Sequence, residues 1–244
     1  MVKRVRTSAG VFFFFVSAVL AFGQATSDHP VALTDASATP PIIVIGFVGG
    51  FIKHDNVVHS GVQLAAHLRE AYSSGVYVKV FENHRGKQAH DEILRLLDTN
   101  HNGTLTVEEK HDARIIIYGH SWGGSETVNL ARELERDGIP VLLTIQLDSV
   151  QKRGEDDAVI PANVLQAANF YQSNGLLHGR TQIRAADPAR TQIIGNFRFD
   201  YVENPIRCVG YPWYARAFEK SHIEIECDPA VSNHVESLIR SKLR

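Results

Sequence analysis

Gly119-His120-Ser121-Trp122-Gly123-Gly124 is the stretch of this chain best suited to chemistry. It follows the apolar run Arg114-Ile115-Ile116-Ile117-Tyr118 and precedes a helical pattern through Thr127, Val128, Leu130, Ala131 and Leu134. A G-x-S-x-G at a strand-to-helix turn strains the serine and lifts its hydroxyl clear of the backbone, since side chains two residues either way would clash. A hydroxyl held there becomes a nucleophile once a base removes its proton. The turn also leaves the Trp122 N–H at a helix N-terminus, free to donate to a developing oxyanion. The same spacing in a flexible loop would do none of this. The strand before and the helix after are what separate the two readings.

A second constellation precedes the elbow. Asp98, Asn100, Asn102, Gly103 and Glu109 satisfy D-x-[DN]-x-[DN]-G-x5-E at every position. Over these twelve residues the chain resembles a single EF-hand-type calcium loop. The resemblance implies oxygen ligands from Asp98, Asn100, Asn102, the Thr104 carbonyl, Thr106 and a bidentate Glu109. Only two of these ligands carry formal charge, so the expected binding is weak and suited to extracellular calcium. Its expected role is structural, with no cofactor for catalysis. A polar Asn-Gly turn without metal is the competing reading.

Several elements must deliver these residues. A buried-type strand Ile42-Ile43-Val44-Ile45 opens the domain, and a helical pattern follows through Val58, Val62, Leu64, Ala65 and Leu68. Then come a strand over 76–81, a helix carrying Ile93, Leu94, Leu96 and Leu97, the elbow strand and its helix, and a strand over 141–147. Strands alternating with helices predict an α/β fold: a mostly parallel sheet of about six strands with helices on both faces. Past Asp148 the pattern weakens. Residues 162–168 read as a short helix, 169–172 as a strand, and 181–201 as a hairpin or irregular insertion. Pro229 opens a C-terminal helix with Val231, Val235, Leu238 and Ile239 on one face.

The chain has 244 residues, 44% hydrophobic and 21% charged, enough for one globular domain with a full core. Lys3, Arg4 and Arg6 precede an apolar run from Ala9 to Phe22, with small residues at Ala21, Gly23 and Ala25. That order predicts a secretory signal peptide over 1–25, a linker over 26–41 and the domain over 42–244. The run is shorter than the ~20 residues that span a bilayer, so no integral membrane segment is expected in the mature chain. Without a cysteine at the cleavage point, a lipid anchor is not expected either. Removing three basic residues leaves 22 against 27 acidic, a net of −5. No basic block remains for a nucleic-acid partner. A secreted or periplasmic location in turn predicts a disulfide between Cys208 and Cys227, worth about 3 kcal/mol for a loop of that size.

From residue 42 onward the chain resembles the α/β-hydrolase fold in a reduced form. The likeness rests on the elbow, on Ile42-Ile-Val-Ile-Gly46-Phe47-Val48-Gly49-Gly50 as the family's first conserved strand and oxyanion loop, and on chain order. Ile45 stands where family members often carry histidine. The match implies Phe47 N–H as a second oxyanion donor beside Trp122. The family order Ser, Asp or Glu, His implies Ser121 as nucleophile, with Asp148 after the next strand as the acid. Asp187 is the alternative acid. Many relatives place the acid one strand later, but here that strand ends near Gln172-Ser173-Asn174, without a carboxylate. Of the histidines beyond Asp148, His222 fits a loop just before the last helix, ahead of His234 within that helix and His178 in a turn. His120 reads as structural.

The resemblance therefore implies a secreted serine hydrolase cleaving carboxylic esters, esterase- or lipase-like, through an acyl-enzyme. Its partner would be a small-molecule or lipid acyl ester. Candidate pocket walls are Phe47, Phe51, Trp122 and Tyr211-Pro212-Trp213-Tyr214. A thioesterase, amidase or peptidase would use the same triad, and a non-catalytic binding protein could share the fold.

Overall fold

Strand β1 (Ile42–Val48) is buried along its whole length. A strand covered on both faces reads as a continuous apolar run rather than an alternating one, and β3 (Ile115–His120) repeats the pattern. In this computed structural model, which describes residues 40–243, the two lie side by side at the centre of a six-stranded sheet. Its strand order is β2-β1-β3-β4-β6-β8 and every pair is parallel. The other strands are β2 (Val76–Glu82), β4 (Val141–Leu147), β6 (Val164–Gln172) and β8 (Gln192–Phe199). The short β5 (Val159–Ile160) and β7 (Arg184–Ala185) pair separately. The expected signal peptide and nearly all of the expected linker lie outside the described residues.

Period-two alternation sends successive side chains to opposite faces, where two cores form. On one, Val44, Val48, Ile116, Tyr118 and Phe170 meet α1 (Ser60–Ala71), α6 (Lys220–Cys227) and α7 (Pro229–Arg240). On the other, Ile43, Ile45, Phe47, Ile115 and Ile117 meet α2 (Gly86–Leu97) and the elbow helix α4 (Trp122–Arg136). Two short helices, α3 (Val107–His111) and α5 (Trp213–Phe218), complete the set. The architecture is an α/β one, a six-stranded parallel sheet with helices on both faces, as the sequence implied.

Three local expectations are corrected. Residues 162–168 are not a helix: β6 begins at Val164 and pairs with β4 from Val141↔Val164 onward. Ala167 and Ala168 favour helix locally, but in β6 both are fully buried and pair with Thr144 and Ile145 of β4. Residues 192–199 are no hairpin; they form the sixth parallel strand, with one register shift opposite Ala167/Ala168. His222 lies inside α6, not in a loop.

Candidate active site

All strands run the same way, so every loop that follows a strand opens on one edge of the sheet. Ser121 stands there between β3 and α4, with φ 57 and ψ −126. Its flanking glycines are required by contact. A Cβ on Gly119 would lie 2.2 Å from the Gly123 carbonyl oxygen, and one on Gly123 would lie 2.4 Å from the Phe47 carbonyl oxygen. The strained serine is thus locked between two backbones. Trp122 opens α4, so its N–H has no partner within the helix.

Asp148 follows β4, fully buried, with φ 42. His222 Nδ1 is 2.7 Å from its Oδ2. The other bonds to this carboxylate are donated by Gln172 Nε2 (2.8 Å), Gln172 N–H (3.2 Å) and Gly179 N–H (2.8 Å). An acceptor-only carboxylate places the imidazole proton on Nδ1 and leaves Nε2 free to accept. The ring centroids of His222 and His120 are 4.4 Å apart, so His222 lies against the residue that precedes Ser121. Among the described residues the Ser121 hydroxyl makes no hydrogen bond.

The rival positions lie elsewhere. Asp187 takes the Ala189 N–H in its own turn. His234 packs on Phe170 and Phe197, and His178 is exposed.

Phe47 does not lie where an oxyanion donor must. Ile43 N–H donates to the Arg114 carbonyl on the β3 side. Alternation sends the N–H groups of Ile45 and Phe47 the same way, and Phe47 is in register with Gly119 inside the ladder. Its ring packs in the core beside Phe81. The backbone lying on Ser121 is that of Gly49, where a Cβ would meet Ser121 Cβ at 2.7 Å. Beyond it, Gly49–Ile52 forms a turn closed by Ile52 N–H to the Gly49 carbonyl (3.2 Å), and among the described residues the N–H groups of Gly50 and Phe51 have no partner.

Of the other expected walls, Phe51 is 96% exposed and meets Trp122 edge-on at 5.8 Å. Trp213 is also exposed, whereas Tyr211 is buried. The Tyr214 side chain lies outside the described residues.

Beneath the elbow is a buried cluster that sequence reasoning missed. Glu226 accepts from His59 Nδ1 (2.9 Å) and lies 3.5 Å from His120 Nδ1. Burial alone would raise the Glu226 carboxyl, but His120 and His59 outweigh it and hold it at about 2. Burial also pushes His120 down to about 4. The available signal was the four-residue spacing of His222 and Glu226, which puts both on one face of a helix.

In the 98–109 loop, Asp98 accepts from the N–H groups of Asn102 (3.1 Å) and Gly103 (2.9 Å). Asn100 accepts from Asn102 N–H, and Asn102 from Thr104 N–H. Glu109 reaches back to Thr106 and Thr99, whose hydrogen bonds hold its carboxyl below the ordinary range. Among the described residues no three His, Cys, Asp or Glu side chains gather as a metal site. The loop's donors are instead mostly amide, hydroxyl and carbonyl oxygens, a hard set that fits calcium.

No family model matches the chain, and no curated protein matches it. Among solved structures it is similar to human thioesterase 2, with 9% identity, a TM-score of 0.43, and coverage of 83% of this chain and 97% of that one. A cutinase-like protein from a Cryptococcus species gives 14% identity and 0.42, covering 85% and 97%. A putative α/β-superfamily hydrolase from Xanthomonas campestris pv. campestris gives 15% and 0.40, covering 82% and 98%.

Proposed function

We propose that the protein is a serine hydrolase of carboxylic esters, with Ser121 as nucleophile, His222 as general base and Asp148 as its orienting acid. The observation that carries this is the buried Asp148–His222 pair beside a strained serine elbow. In the proposed cycle Ser121 Oγ attacks the ester carbonyl carbon while His222 Nε2 takes its proton. Trp122 N–H and an N–H of the Gly49–Ile52 turn receive the oxyanion. Collapse expels the alcohol, which leaves with the proton held on His222. Water then repeats the sequence on the acyl-enzyme, releasing the acid and freeing Ser121. Asp148 offsets the imidazolium charge at each step.

An apolar acyl group suits the rim. Phe51, Trp122 and Leu176 are exposed large hydrophobics just after β1, β3 and β6, on the edge of the sheet where Ser121 stands. Export fits the disulfide between Cys208 and Cys227. Among the described residues no helix is long and apolar enough to cross a membrane. The 98–109 loop is proposed to take a structural calcium ion through Asp98, Asn100, Asn102, Thr104, Thr106 and Glu109, with no part in the chemistry.

A fluorophosphonate probe tests the proposal, because only an activated serine is phosphonylated. The wild-type protein should label at Ser121 and hydrolyse nitrophenyl esters, with Ser121→Ala losing both. Labelling elsewhere, or unchanged hydrolysis in that variant, would remove Ser121 from the role.

A further inference from the structure

The turn over Ser121 is held from a strand away. Asn83, directly after β2 and 5% exposed, donates from Nδ2 to the Gly50 carbonyl at 2.5 Å. Its own carbonyl accepts from Lys152 Nζ at 2.6 Å, and Lys152 is paired with Glu126 on the elbow helix. An anchored line thus runs from α4 through the loop after β4 and the end of β2 to the turn after β1.

The Gly50–Phe51 peptide is a planar trans unit, so its carbonyl and N–H point in opposite directions. Drawing the oxygen toward Asn83 turns the Phe51 N–H the other way. Gly50 has φ +47, in the region where glycine moves freely between backbone states. Such a peptide can flip, and a flipped carbonyl would present negative charge where the turn should donate. A buried amide with a single acceptor removes that freedom.

We propose that Asn83 is a positioning residue: it fixes the Gly49–Ile52 turn in the orientation that donates to the oxyanion. This rests on the reading of Ser121 as nucleophile. Asn83 touches no substrate and acts through the turn. Its signature is therefore a loss of transition-state stabilisation with ground-state binding kept.

The test uses the full protein with nitrophenyl esters and an alkylboronic acid, which forms a tetrahedral adduct on an activated serine. Asn83→Ala should lower kcat about 10²-fold, the scale of losing one oxyanion donor. KM should stay within about threefold, and boronic-acid affinity should fall by the factor seen in kcat. Asn83→Asp, of the same shape but without the donor, should behave alike, which keeps the test open if the alanine variant folds poorly. Asn83→Gln, which restores a donor, should recover part of kcat. An active wild type with unchanged kcat in Asn83→Asp would overturn the proposal, as would a fall in kcat with boronic-acid affinity unmoved. A wild type that neither labels nor turns over would instead sink the serine-hydrolase reading itself.

Discussion

Asp148 shows how much a single carboxylate depends on its surroundings. It sits in a left-handed conformation, fully buried, and its oxygens accept from Gln172, Gly179 and His222. Gly179 is held in place partly by its neighbour. Arg180 pairs with the buried Asp157 through Nε (2.9 Å) and Nη2 (2.6 Å), and Ser149 donates to the same carboxylate (2.6 Å). Gln172, at the end of β6, donates to Asp148 through both its side-chain amide and its N–H. Asp148→Asn should therefore keep the fold but lower kcat by about 10⁴, because an amide can hold the imidazole in the wrong tautomer. Steady-state kinetics beside a circular dichroism spectrum would check this. Near-normal turnover would move the orienting role elsewhere.

Helix α6 joins two jobs in eight residues. His222 meets Asp148 while Glu226, one turn on, meets His59 at the start of α1. Cys227 ends the helix in a disulfide to Cys208, so the segment that carries the candidate base is tied covalently to the chain before it. The connection from α2 to β3 is a different case: polar contacts shape its turn, while Leu105 and Ala113 pack on the core. Thr106 and Glu109 form a capping box at α3, and Glu109 reaches back to Thr99 near the end of α2. A calcium ion bound there would stiffen the approach to β3, the strand that leads into Ser121. At ten times Kd it would add about 1.4 kcal/mol, raising Tm by roughly 3–6 °C for a domain of this size. Scanning calorimetry with chelator and with millimolar calcium measures this directly, and Glu109→Gln should abolish the shift. Identical melting curves in the wild type would leave the loop a polar turn.

The buried charge beneath the elbow makes the stability of the whole molecule sensitive to acid. His120 is held at about 4, below its ordinary value, so folding favours its neutral form. Its contribution is complete above about pH 6.5 and is lost as pH falls toward 4. Glu226 is held at about 2, so its contribution is complete above the ordinary carboxylate range and is lost as pH falls from about 4.5 toward 2. Glu82, bonded to His54, and Glu92, bonded to Arg95 and Tyr77, are held at about 2 as well and act with the same sign. Tm should therefore drop in two stages on acidification from pH 7.5. Glu226→Gln, though less stable at neutral pH, should show a shallower decline below pH 4.5. A wild-type Tm that rises between pH 6.5 and 4 would contradict these signs.

Much of this molecule is written locally. The runs at 42–45 and 115–117 specify central strands because both sheet faces must be apolar, and the spacing of Gly119, Ser121 and Gly123 specifies an elbow because larger residues would collide there. Asp148 directly follows a strand, which puts it on the same edge as Ser121 whatever the loops do. What tertiary structure alone decided involves partners far apart in sequence. Residues 162–168 became strand because a slot beside β4 was open, against their local preference. Phe47 was excluded as a donor by the β3 ladder beside it, which no pattern within β1 reveals. Asn83 reaches Gly50 across 33 residues and Glu226 reaches His59 across 167. A lone polar residue at a strand end, such as Asn83, carries no periodicity to mark it, and only folding supplies the group it must satisfy.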